Sequence, residues 1–497
     1  MVKSFQKQPF YLLLIPLFFV LHGFAENFGF ISFGDVLILA ATYVVATIVV
    51  YLLFFFFFRD RVKAALAASF LIAFYLFFGA IQDFFNTHAL ILSRYSVLLL
   101  LFVIVFIALA FCLKKTKNNF SKLNLFLNSL FFIYIIIDLG SLVYKNFNPP
   151  VNKLSVYPFA KKNNYQPCGD CAKPDIYFLL FDEYASSESL KNHFNYDNSS
   201  LDTFLIQQGF HIQLNSTSNY DITPFSIASM LNMSYLNGVN GGAVSIEDYA
   251  RCNELIRNNE VIKFLSLQGY HIVNYSIFDL AGNPSLTSQS FLPLKTKLIS
   301  DATLFNRMQK DLLWNFNVGR FKIKWLAHRL MYANENSNNM FMNLVKKAPS
   351  DSNKIPRFIY AHFFLPHLPY YYTKDGVLRD EATLLKEWNR KIAPSYLDYV
   401  TYTNTKIKEL ISAIKANTKG EAVIIFMGDH GFRKFTGDGD STHFFQNQNA
   451  VYFPSRDYHL LYDSVSAVNQ FGIVFNTLFH QNFPILNDST VFLTDKK

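Results

Sequence analysis

Apolar positions along this chain follow two different rules. Up to residue 147 they run nearly unbroken, in spans of roughly 18–23 residues at about 10–31, 36–58, 64–85, 95–113 and 125–144, the length a helix needs to cross a hydrocarbon core. The stretches "VVATIVVYLLFFFFF" and "VLLLLFVIVFIALAFCL" hold no charge. A cleaved signal peptide led by Lys3 and Lys7 is the competing reading of the first span. The four spans that follow it argue against that. From residue 174 the apolar runs shorten to strand length and alternate with helical patterns. "PDIYFLLFDEY" (174–184), "FIYAHFFLPHLPYYY" (358–372) and "EAVIIFMGDHGFR" (421–433) each read as a buried strand ending in polar residues. "FLIQQGFHI" (204–212) and "FLSLQGYHI" (264–272) resemble each other, a helical pattern stopped at Gly before a strand. In residues 396–417, Leu397, Val400, Ile407, Ile411 and Ile414 share one helical face. Strands alternating with helices predict a mainly parallel sheet covered on both faces.

The expected organisation is a transmembrane domain of about five helices (1–147), a linker (148–173) rich in Pro, Asn and Lys, and an α/β domain (174–497). Composition agrees with a chain that partly avoids water. Charged residues make up 16% and aromatic residues 17%, with 55 Phe, against about a quarter charged in a soluble chain. Basic residues cluster between alternate spans: Lys3 and Lys7, then Arg59, Arg61 and Lys63, then Lys114, Lys115, Lys117 and Lys122. Residues 32–35 have no basic residue and residues 86–94 only Arg94. The positive-inside rule then predicts a cytoplasmic amino terminus and an extracytoplasmic α/β domain. Much of the net charge of +9 is thereby topology and calls for no nucleic-acid partner. Asp138 inside the fifth span is expected to face another helix or the interface. Cys168 and Cys171 form a short "CGDC", read as a local staple or nothing, with no second pair to suggest zinc or redox chemistry.

Candidate chemistry gathers at strand ends. In open α/β sheets ligands sit beyond the carboxyl ends of the strands. Asp182 and Glu183 end one run, Asp429 and His430 another, and His362 and His367 lie on or after a third. In "SNYDITPFSIASMLN" (218–232), Thr223 and Pro224 read as N-cap and first residue of a helix, where free N–H groups and the dipole favour anions. Alone, Thr-Pro is an ordinary helix cap. In company with these acids and histidines it predicts a metal site of Asp182, Asp429 and His430 that also takes the Thr223 oxygen and activates it as a nucleophile. An oxygen-and-nitrogen ligand set suits zinc or manganese, in one or two ions. His367 would hold phosphate oxygens or protonate a leaving group, with His362 structural.

Taken with "HFFLPHLPYYY", "IIFMGDHGFR" and "SAVNQFGIVFNTLF" (466–479), these stretches resemble the alkaline phosphatase superfamily, over residues 174–480 and in the family's order. Within it the chain is similar to the membrane-anchored sulfatase-like branch, which includes lipoteichoic acid synthases and phosphoethanolamine transferases. The resemblance implies Asp182, with or in place of Glu183, Thr223, Asp429 and His430 as metal ligands, Thr223 as nucleophile, and His367 as substrate-binding, with His443 a looser match for a second histidine. It also implies a membrane phospholipid donor and an envelope glycan or lipid acceptor, at a bacterial cytoplasmic membrane. The alternatives are a phosphodiesterase, phosphatase or sulfatase-like hydrolase using water, and a non-catalytic envelope protein keeping the fold. The C/S-x-P-x-R pattern of sulfatases proper is not matched, because "ITPFS" has Thr before Pro and no Arg after it.

Overall fold

The computed structural model describes residues 2–148, 154–156, 167–239, 243–287, 295–317, 324–347, 355–388, 390–436 and 439–495. The greater part of the expected linker, 149–153 and 157–166, lies outside them. The chain divides into two compact units, residues 1–151 with 291–322, and residues 152–290 with 323–497.

The first unit is helical: α1 (Tyr11–Glu26), α2 (Phe33–Phe58), α3 (Arg61–Leu76), α4 (Phe78–His88), α5 (Tyr95–Lys115) and α6 (Ser121–Phe147). Among the described residues α2, α5 and α6 are long and apolar enough to cross a membrane. The third expected span is broken instead: α3 and α4 meet at Phe77 with a bend of 62°. The first is a shorter helix of 16 residues. Tyr11, Ile15, Phe19 and Val20 of α1 pack with Ala65, Ala68 and Ile72 of α3, the small alanines letting the helices approach closely. Asn128 of α6 takes up polar groups at the start of the chain, accepting from Tyr11 N at 2.6 Å and donating to the carbonyls of Phe5 and Gln8 at 2.8 and 2.7 Å. Asp138 turns inward, its Oδ1 3.1 Å from His22 Nδ1 of α1. Ser32 caps α2 and Asp60 caps α3, each accepting backbone N–H bonds.

The second unit is built on a sheet of β1 (Ile176–Phe181), β2 (His211–Ile212), β3 (His271–Tyr275), β4 (Arg357–Phe363), β5 (Val423–Gly428) and β6 (Asn449–Tyr452). Its order is β2-β6-β5-β1-β4-β3. The four strands β5, β1, β4 and β3 are parallel, and β6 and β2 add an antiparallel edge. Register puts Phe181 beside both Phe363 and Gly428, so the three central strands end level. All six residues of β1 are buried, which is why the run is continuously apolar rather than alternating. Phe178, Leu180, Tyr360 and Ile425 face α7 (Thr223–Asn232), α8 (Glu260–Leu267) and α11 (Ala467–Phe479). Tyr177, Leu179, Ile359 and Phe426 face α9 (Ala333–Lys347) and α10 (Ala393–Asn417). Cys168 and Cys171 are joined by a disulfide just before β1.

Candidate active site

The carboxyl ends of β1 and β5 bring together Asp182, Asp429 and His430. One ligand atom from each lies within 4.8 Å of the others, and all three residues are buried. Gly428 permits this closeness: a Cβ there would lie 2.3 Å from the Tyr184 carbonyl oxygen. At Gly431 a Cβ would lie 2.2 Å from the His443 carbonyl oxygen. The abrupt Gly-Asp-His-Gly ending is therefore a packing requirement as well as a source of ligands.

Asp429 Oδ1 accepts two backbone N–H bonds, from Glu183 and His430, both 2.8 Å. Its Oδ2 is buried with no hydrogen-bond partner, 3.5 Å from His430 Nε2. His430 Nδ1–H donates to the Gly431 carbonyl at 2.8 Å, which fixes the tautomer and leaves the Nε2 lone pair facing the carboxylates. Thr223 stands across from them, its Oγ1 3.2 Å from His430 Nε2 and 3.5 Å from Asp182 Oδ1. The helix begins at Thr223 itself, with Ile222 in the cap position, one residue earlier than the capping pattern predicts. The threonine hydroxyl is turned to the carboxylate cluster, so it does not serve as the helix cap. Ser226 Oγ, one turn on, donates to the Asp429 carbonyl at 2.6 Å and ties α7 to the β5 tip.

The electrostatics of the cluster favour a bound cation. Burial pushes the Asp182 carboxyl up to about 7, against the pull of Arg433, Lys391 and the Thr223 hydroxyl. Burial, and then the neighbouring Asp182, raise Asp429 well above the usual carboxylate range. Burial, and then the Arg433 charge, hold His430 far below its ordinary value. Two facing carboxylates in a dry site cannot both ionise without a counter-charge. A divalent cation fits that demand, the orphaned Asp429 oxygen and the imidazole lone pair turned toward it.

Asp182 and Glu183 part company at the strand end. Glu183 has φ 61°, a left-handed conformation rare outside Gly, Asn and Asp. Tyr396 of α10 braces the turn, donating to the Glu183 carbonyl at 2.8 Å. The Glu183 carboxylate points to a separate group: Lys391 Nζ, the Arg433 N–H at 3.0 Å, and His367 Nε2 at 3.9 Å. It is not in the cluster that could hold the ion. His367 donates from Nδ1 to the Leu368 carbonyl at 2.7 Å, and burial holds it neutral, at about 4. His443 is elsewhere in its bonding: Nε2–H donates to the Lys434 carbonyl at 2.8 Å, and the ring stacks on His193 at 4.5 Å. His362 lies buried in β4 with neither ring nitrogen hydrogen-bonded.

Sequence reading missed Lys391 and Arg433. Arg433 was in view, three residues after His430. Lys391 stands in an unpatterned stretch before α10 and gives no signal; only folding sets it on Glu183.

A helix start facing a buried carboxylate–imidazole group at the end of a mainly parallel sheet is the arrangement that the sequence resemblance implies. Residues 234–464 match the sulfatase family model, a span that takes in His367, Asp429 and His430 and begins after Thr223. Over that span, less than half of its length, the chain is similar to the sulfatase family. Among solved structures it is similar to the C-terminal periplasmic domain of EcEptC from Escherichia coli, at 12% identity over 67% of this chain and 94% of that one, with TM-score 0.38. It is also similar to the phosphonate monoester hydrolase SpPMH from Silicibacter pomeroyi (12%, 64% and 76%, 0.39) and to the putative sulfatase yidJ from Bacteroides fragilis (13%, 63% and 75%, 0.35). No curated protein sequence matches the chain.

Proposed function

We propose that this protein is a membrane-anchored phosphotransferase that moves a phosphoethanolamine- or glycerophosphate-like group from a phospholipid to an envelope glycan or lipid. The observation that carries the reading is the Thr223 hydroxyl, 3.2 Å from His430 Nε2 and 3.5 Å from Asp182 Oδ1. Asp182, Asp429 and His430 would hold the ion, zinc or manganese, which supplies Lewis-acid stabilisation of charge on the phosphoryl oxygens. Thr223 Oγ forms a bond to phosphorus as the bond from phosphorus to the donor alcohol breaks, and the hydroxyl proton leaves with that alcohol. The product is a phospho-threonine ester. An acceptor hydroxyl then attacks the same phosphorus, regenerating Thr223. His367, neutral with its Nε2 lone pair available, takes the acceptor's proton and returns it to Thr223 Oγ as the bond from that oxygen to phosphorus breaks. Lys391 and Arg433 add positive charge beside the site, where developing negative charge is stabilised most.

A hydrolytic reading, with water as acceptor, has the family match in its favour. Formylglycine-dependent sulfate-ester hydrolysis does not, because Thr223 stands where a Cys or Ser is required. Brief exposure of the full chain to phospholipid, followed by intact-mass and peptide analysis, tests the mechanism. An adduct on Thr223 is expected, and its absence when turnover is measurable overturns the reading. Labelled phospholipid separates transfer from hydrolysis: label moves to a glycan or lipid, or ends as a free head group.

A further inference from the structure

Residues 297–311 lie in sequence between β3 and β4 of the sheet, yet they fold with the helical first unit. Ile299 is buried among α1 and α3 side chains, and a Cβ on Gly23 would meet it at 2.8 Å. Gly79 N donates to the Ala302 carbonyl at 2.7 Å. Arg307, on the helix Leu304–Asn317, makes a two-pronged pair with Asp83 of α4 at 3.0 and 2.6 Å. Tyr95 donates to Asp311 at 2.7 Å. Gly23, Gly79, Asp83 and Tyr95 all belong to the end of the bundle that the loop charges assign to the extracytoplasmic side.

We propose that this segment, residues 297–317, is a second membrane anchor, seated on the outer end of the bundle and lying in the headgroup layer of the outer leaflet. Three observations identify a lipid surface as its partner. Large apolar side chains stay exposed beside the contact: Phe305 (62%), Phe84 (57%), Leu90 (68%) and Ile91 (68%). The described residues 295–317 carry four Lys or Arg (Lys295, Lys297, Arg307, Lys310) against two Asp, a basic balance suited to anionic lipids. The bent α3–α4 pair provides the seat, because α4 leaves the direction of α3 where Ala302 and Arg307 arrive.

The anchor predicts that the linker is dispensable for membrane attachment. A specific protease site is inserted at residues 157–166 of the full chain, reconstituted in phosphatidylcholine–phosphatidylglycerol vesicles, and cleaved. The large carboxyl-terminal fragment should stay with the vesicles. Its quantitative appearance in the supernatant overturns the proposal. Arg307→Asp should increase release severalfold, and the exchanged pair Asp83→Arg with Arg307→Asp should restore retention; equal release from both argues that the pair does not hold the segment. A spin label at Phe305→Cys, in a Cys112→Ala background, locates the lipid contact. It should be more accessible to oxygen and less to a water-soluble nickel chelate than a label at Glu421→Cys. Identical profiles overturn the lipid assignment. Neither readout involves turnover, so both stand apart from the proposed reaction.

Discussion

Asp429 shows how one residue can be half satisfied by its own fold and half waiting for something else. Its Oδ1 is spent on two backbone N–H groups, which fixes the carboxylate, while Oδ2 has no hydrogen bond. Asp429→Asn keeps the shape but replaces a charged oxygen with an amide. Metal content and activity should fall together, by at least about a hundredfold in kcat, as measured by elemental analysis and turnover. Chelation should do the same to the native chain, with recovery on adding back zinc or manganese. Thr223→Ala should remove activity and the covalent adduct while leaving the ion bound, and Thr223→Ser should keep a measurable part of both. Retained full activity in Thr223→Ala would remove the nucleophile. Glu183 is the residue whose role sequence could not assign. A backbone bend at φ 61° sends its carboxylate to Lys391 and Arg433. Lys391→Met leaves a buried carboxylate short of a partner and should cost about 3 kcal/mol, read as a lowered thermal unfolding temperature of the solubilised chain.

At the scale of elements, the site depends on strands that end level and on glycines that let the ends close. Gly431→Ala puts a methyl group on the His443 carbonyl. Overpacking of this kind costs about 1–3 kcal/mol, and here it also shifts the backbone next to His430. Stability and metal affinity should both fall, whereas Leu179→Ala, on the opposite face of β1, should lower stability by about 2–5 kcal/mol with metal affinity kept. An equal loss of metal affinity in the two variants would mean that the glycine has no specific part in shaping the site. The buried strands were legible because runs such as "IYFLLF" allow little else at that length. The short edge strand His211–Ile212 was legible only as the end of a helix–Gly–strand pattern, and its antiparallel pairing with β6 was not. Pairing direction is set by which strands meet, and that is invisible in a two-residue segment.

The whole molecule joins a helical unit to an α/β unit that includes the stretch similar to the sulfatase family, and the loop charges predict an extracytoplasmic α/β unit. A membrane-impermeant thiol reagent should label Glu421→Cys in intact right-side-out vesicles and Asn118→Cys only after permeabilisation, in a chain without Cys112. The reverse pattern would invert the topology. At this scale the sequence reading of a simple bundle–linker–domain order meets a more interleaved chain: residues 291–322 belong with the helices of the first unit. Nothing in their composition says so, since a basic amphipathic stretch inside a long α/β domain reads equally well as a surface helix.

By itself the sequence determined the apolar spans, the buried strands and the residue types at their tips, because lipid thickness, sheet burial and metal chemistry each restrict composition locally. Only the tertiary structure decided which tips meet. Asp182 and Thr223 stand 41 positions apart, and Thr223 and His430 207; their proximity comes from parallel strand register and from α7 packing over β1. The same folding chose Asp182 over Glu183 for the cluster, brought Lys391 in from a featureless stretch, and returned a late segment to the first helices. These outcomes depend on long-range packing, where no local pattern carries the information.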